Sequence, residues 1–111
     1  MNEIEGILNE FTKRIEDYFG ASLIKVLLYG SYARGDNTDN SDIDIMILTS
    51  LSDKEISEIE NDVYDIAYDF LMNYGVDISV IIKNEEIFKY WLGTLPFYNN
   101  VEKEGVILSG R

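Results

Sequence analysis

The sequence predicts an α/β domain of the α+β kind: a small mixed β-sheet with helices packed on one face. Three observations carry that expectation. Two stretches place apolar residues at helical spacing, three short apolar runs read as strands, and the two kinds alternate along the chain. Residues 1–111 suit one domain with a single packed core. No repeat or interdomain linker divides them.

The first helix is expected over 3–19. Ile4, Ile7, Leu8, Phe11, Ile15, Tyr18 and Phe19 fall on one stripe, and Gly20 stops it. Ile24 to Tyr29 is a short apolar run ending at Gly30, a buried strand. Ser31-Tyr32-Ala33-Arg34 allows one short helical turn. Residues 35–41 are all turn formers and make a polar loop. Asp42 to Thr49 alternates with period two and forms the second strand. Ser52 with Glu55 makes a capping box ahead of a helical stripe of Ile56, Ile59, Val63, Ile66, Phe70 and Leu71, which Gly75 ends. Val76 to Ile82 is the third strand and 84–92 a further short helix. Residues 95–104 are helical or irregular, and the tail finishes on Val106-Ile107-Leu108.

Composition narrows the chemistry. The chain has no cysteine and no histidine, which removes disulfides, thiolate or imidazole metal sites, and imidazole bases. Catalysis must run on carboxylates, hydroxyls, Lys or Arg, and bound metal. Oxygen donors alone favour hard cations such as Mg²⁺ or Mn²⁺. The formal charge of −12 argues against a long nucleic acid as direct partner, since that binding rests on Lys and Arg. A nucleotide that arrives with its own metal is compatible with it. Met1-Asn2-Glu3-Ile4-Glu5 has neither a basic nor an apolar leader region, and no apolar run approaches the roughly 20 residues of a membrane helix. A cytoplasmic protein without membrane contact is expected.

Alternation sets the chemistry of the second strand. Ile43, Ile45 and Ile47 share one face, so Asp42 and Asp44 share the other. Two adjacent carboxylates repel each other unless a cation joins them. In the third strand Val76, Ile78, Val80 and Ile82 take the core face, leaving Asp77 and Ser79 opposite. With the two strands adjacent, Asp42, Asp44 and Asp77 become a two-metal arrangement of the kind that clamps an in-line phosphoryl displacement. Gly30-Ser31 follows the first strand. Its glycine allows close backbone approach, and the helical turn behind it offers N–H groups and a hydroxyl to phosphate. The Walker and Rossmann glycine spacings are both absent.

Gly30-Ser31, ten intervening residues and Asp42-x-Asp44 resemble the signature of the DNA polymerase beta-like nucleotidyltransferase superfamily. The longer string from Gly30 to Asp44, Gly-Ser-Tyr-Ala-Arg-Gly-Asp running to Ser-Asp-Ile-Asp, is similar to its minimal branch, the MNT domains. The resemblance implies the nucleotidyltransferase fold. It further implies that Asp42 and Asp44 bridge two Mg²⁺ ions and that Asp77 completes the site beside the acceptor hydroxyl, helping to take its proton. Gly30 and Ser31 would hold the β and γ phosphates of ATP, and Arg34 either touches phosphate or braces the 35–41 loop. MNT proteins of this size resemble the antitoxins of toxin–antitoxin pairs whose toxins are HEPN-domain ribonucleases. The implied reaction is transfer of AMP from ATP to a tyrosine hydroxyl of that toxin.

Other readings stand beside these. Residues 36–40 look superficially like a calcium loop, but the required glycine and closing glutamate are missing. Asp42 and Asp44 without Gly30-Ser31 would be only a polar strand face. Phe88, Tyr90, Trp91, Phe97 and Tyr98 are core or a partner surface. The domain could also neutralise a partner by binding alone, or modify a small molecule, although the latter calls for a substrate domain that 1–111 does not supply.

Overall fold

The computed structural model describes residues 3–110, so Met1 and Asn2 of the N-terminal reading lie outside it. Helix α1 spans Glu3–Phe19 and passes through a 3₁₀ turn at Gly20–Ser22 into β1, Leu23–Tyr29. The short α2, Ser31–Arg34, and the polar loop lead to β2, Ile43–Thr49. Helix α3, Asp53–Tyr74, opens on a complete capping box: Ser52 Oγ accepts from the Glu55 N–H, and Glu55 accepts from the Ser52 N–H. It closes on Gly75 in the left-handed region, φ 68°. Strand β3 is Ile78–Asn84, followed by α4, Glu85–Trp91, whose first N–H groups are capped by the Asn84 side chain. Helix α5, Pro96–Glu104, and β4, Val106–Ser109, complete the chain.

The four strands lie in the order β3-β2-β1-β4. Strand β1 is antiparallel to both β2 and β4, while β2 and β3 are parallel, so the sheet is mixed as expected. Alternation decides the layers. Ile43, Ile45 and Ile47 of β2 join Val26 and Leu28 of β1 and Ile78, Val80 and Ile82 of β3 in a core covered by α1 and α3. Phe11 and Phe70 meet edge to face within it, ring centroids 5.3 Å apart. Among the described residues no helix is long and apolar enough to cross a membrane.

Several expectations shift. Strand β2 starts at Ile43, so Asp42 closes the preceding turn. Strand β3 starts at Ile78 rather than Val76: the chain leaves Gly75 and reaches β2 only where the Ile43 N–H donates to the Asp77 carbonyl, 2.9 Å away. Leu71 lies on the exposed side of α3 rather than in the core. Helices cover both sheet faces instead of one. Leu27, Met46 and Leu48 make the second face too apolar to stay bare, and Phe88 of α4 with Tyr98 and Val101 of α5 bury it. Val106-Ile107-Leu108, given no element from the sequence, pairs as the edge strand β4.

Candidate active site

Topology gathers the candidate residues at one end of the sheet. Because β1 runs antiparallel to β2, its C-terminal end lies beside the N-terminal end of β2. Because β3 runs parallel to β2, its start lies there too. Gly30, Asp42, Asp44 and Asp77 thus converge from three parts of the chain. In register, Asp44 stands opposite Tyr29 on one side and Ser79 on the other.

Gly30 sits directly against Asp44. Its φ of 76° is one that L side chains rarely adopt, and a Cβ there would collide with the Asp44 carboxylate. The chain then turns into α2. The first N–H groups of a helix have no acceptor within it, and no side chain caps them here. Ser31 is the first residue of that turn, and its carbonyl accepts from the N–H groups of Gly35 and Asp36.

Asp44 is half-buried and Asp42 exposed. Burial pushes the Asp44 carboxyl up from its ordinary range, and the neighbouring Asp42 charge pushes the same way. The Arg34 guanidinium acts against both. Asp77, also exposed, shares with Asp42 a cavity of about 270 Å³ whose wall includes Ile4, Tyr32 and the 39–41 segment. Asp42 is therefore coupled to Asp44 by charge and to Asp77 by a common cavity. Among the described residues no group of three acidic side chains is drawn closely enough to hold one ion. The expected three-carboxylate cluster is thus assembled by position but not gathered around one point.

The donor set nonetheless fits a hard divalent cation. All its donors are oxygens, and the Asp42–Asp44 pair carries a repulsion that a cation would relieve. Arg34 is placed as a brace: Nε bonds Asp36 at 3.1 Å and Nη1 reaches Glu104 at 3.4 Å, tying the polar loop to α5. These exposed pairs contribute little stability individually.

One residue of the site was not singled out from the sequence. Tyr29, opposite Asp44, packs edge to face on Phe97 at 5.7 Å. Burial, and then the Asp44 charge, push its phenol up to about 12. The signal was its place immediately before Gly30, but reading it required the β1–β2 register. The late aromatics divide: Phe88 and Tyr98 are core, while Tyr90, Trp91 and Phe97 are exposed.

Residues 8–108 match the family model described as the nucleotidyltransferase domain. Two proteins of Methanocaldococcus jannaschii, each named as a candidate protein adenylyltransferase, align along nearly the whole chain. One is 37% identical over 109 residues, covering 97% of this chain and 99% of its own length. Another is 35% identical over 106 residues, covering 94% and 97%. Among solved structures, a candidate nucleotidyltransferase of Sulfolobus solfataricus superposes with a TM-score of 0.60 at 22% identity, over 96% of this chain and 79% of that one. A toxin–antitoxin complex with AMP-PNP gives 0.57 at 18%, over 93% and 73%. The tri-AMPylated Shewanella oneidensis HEPN toxin with its MNT antitoxin gives 0.54 at 18%, over 96% and 72%. At these identities the solved structures establish a shared fold.

Proposed function

The chain belongs to the nucleotidyltransferase domain family, and on that premise we propose that it transfers AMP from ATP to a tyrosine hydroxyl of a HEPN-type toxin, silencing it as an antitoxin. The observation that carries this reading is the seating of Gly30 against Asp44, whose charge is opposed by Asp42. A phosphate-accepting turn and a charge-repelled carboxylate pair meet at one sheet end. The names of the relatives support protein as the acceptor, and the fold shared with MNT antitoxins supports a toxin as that protein.

In this reaction the acceptor oxygen forms a bond to the α-phosphorus, the bond to the bridging oxygen of the β-phosphate breaks, and pyrophosphate leaves. Gly30 and the first turn of α2 receive the β and γ phosphates. Asp42 and Asp44, with Asp77, would hold Mg²⁺, which when bound neutralises charge on the phosphates and the entering oxygen. Asp77, exposed at the cavity it shares with Asp42, would also help to take the acceptor proton. Arg34 braces the 35–41 loop through its pairs with Asp36 and Glu104.

The test is incubation with α-labelled ATP, Mg²⁺ and the product of the adjoining gene, beside an Asp42→Ala/Asp44→Ala control. Label on the neighbour, absent with the control, is the expected outcome. Inhibition and tight binding by both versions without label would instead make the protein a steric antitoxin on a nucleotidyltransferase scaffold.

A further inference from the structure

We propose that the groove between α3 and β3 seats the acceptor segment of the partner protein, a basic stretch of polypeptide with apolar side chains flanking its hydroxyl. The inference rests on the adenylyl-transfer reading and adds to it a location and a chemistry for the acceptor. Tyr64, Tyr68 and Leu71 lie at i, i+4 and i+7 on α3, one stripe of the helix. They turn away from the core and stay exposed, Tyr68 to 58% and Tyr64 to 45%. With Ala67, Ile78 and Asp77 they line a cavity of about 180 Å³. Strand β3 is at the edge of the sheet, so no further strand closes this groove from the side.

Asp77 makes the groove more than an apolar patch. It lines both this cavity and the one it shares with Asp42. A chain lying on Tyr64 and Tyr68 therefore passes the carboxylate placed to accept the proton of the entering hydroxyl. The charge of the helix narrows the occupant. Along α3 the acidic side chains are Asp53, Glu55, Glu58, Glu60, Asp62, Asp65 and Asp69, against the single base Lys54. Asp62 and Asp69 bond Tyr18 and Arg14 of α1 and Glu55 bonds the Ser52 cap, so the others, with Asp77, set the field at the groove. A nucleic acid would be repelled, and an acidic peptide too, whereas Lys or Arg beside the acceptor hydroxyl is drawn in. Exposed tyrosines suit such contacts because they supply large rigid area at low entropy cost.

The experiment separates docking from chemistry. Affinity of the adjoining gene's product is measured for an Asp42→Asn/Asp44→Asn parent, which binds without turnover, and for the same protein carrying Tyr64→Ala/Tyr68→Ala. A loss of about tenfold or more is expected, with a Val106→Ala/Ile107→Ala control on the opposite sheet edge unchanged. Hydrogen exchange on the parent, which needs no groove substitution, should show partner protection over 64–78. Equal affinity in the groove variant, protection confined to α1 or β4, or no complex at all overturns the proposal. Turnover separates the two readings. Label transfer with an unchanged KM for the partner in Tyr64→Ala/Tyr68→Ala refutes the groove alone. Binding through the groove with no label from the wild-type chain refutes adenylyl transfer, and the acceptor role of the groove with it.

Discussion

At Gly30 two requirements coincide: a positive φ, and a space into which the Asp44 carboxylate already projects. Either excludes a side chain, so Gly30→Ala should cost about 2 kcal/mol of stability and abolish transfer, checked by urea unfolding and the labelling assay. Asp44 itself is held at a cost. Its proton is bound more tightly in the folded than in the unfolded chain, so stability falls as pH rises through the raised value. The stabilising share of that proton is fully present only below the unfolded value of about 3.9. In metal-free protein, Asp44→Asn should therefore raise the Tm at pH 7 by on the order of a few degrees. The gain should shrink as the pH falls and the Asp44 carboxyl takes up its proton. A Tm lowered by the substitution at pH 7 would contradict this account. Alternation put Asp42 and Asp44 on one face, and only the Gly30-Ser31 context made that face a candidate site. Tyr29 was not legible, because its partner lies across the sheet.

Among the elements, α3 was the most fully written in the sequence: cap, stripe and stop signal all agree with its observed bounds. Ser52→Ala removes the hydrogen bond that Ser52 Oγ accepts from the Glu55 N–H, while the Ser52 N–H still donates to Glu55, and should cost about 1 kcal/mol, read as a shifted urea midpoint at unchanged m-value. The Glu55 carboxyl is held low mainly by the Ser52 backbone N–H. The cap therefore weakens as acid protonates it. The second helical layer was less legible. Met46 and Leu48 share the face of Asp44, and two such apolar residues were the signal that α4 and α5 must cover it. Strand β4 has only four residues. So short a run shows no periodicity that separates strand from loop, and its identity comes from pairing with β1.

Over the whole molecule, the net charge of −12 leaves the compact state under self-repulsion. Raising salt from about 0.01 to 0.15 M shortens the screening length from about 30 to 8 Å. The Tm should rise over that range in metal-free protein, and a fall would show that attractive pairs dominate. What the sequence by itself determined is local: the runs that form the first two strands and the two long helices, the glycines that stop those helices, and that side-chain metal ligation here must rest on oxygen donors, since neither cysteine nor histidine is present. The pattern along the chain placed Gly30-Ser31 after the first strand and Asp42-x-Asp44 at the start of the second. The tertiary structure decided the rest, because strand order and register join residues far apart in the chain. Only the antiparallel β1–β2 register sets Tyr29 and Gly30 on Asp44. Only the parallel β2–β3 pairing brings Asp77 to Asp42, and only the edge position of β3 leaves Tyr64 and Tyr68 uncovered beside it.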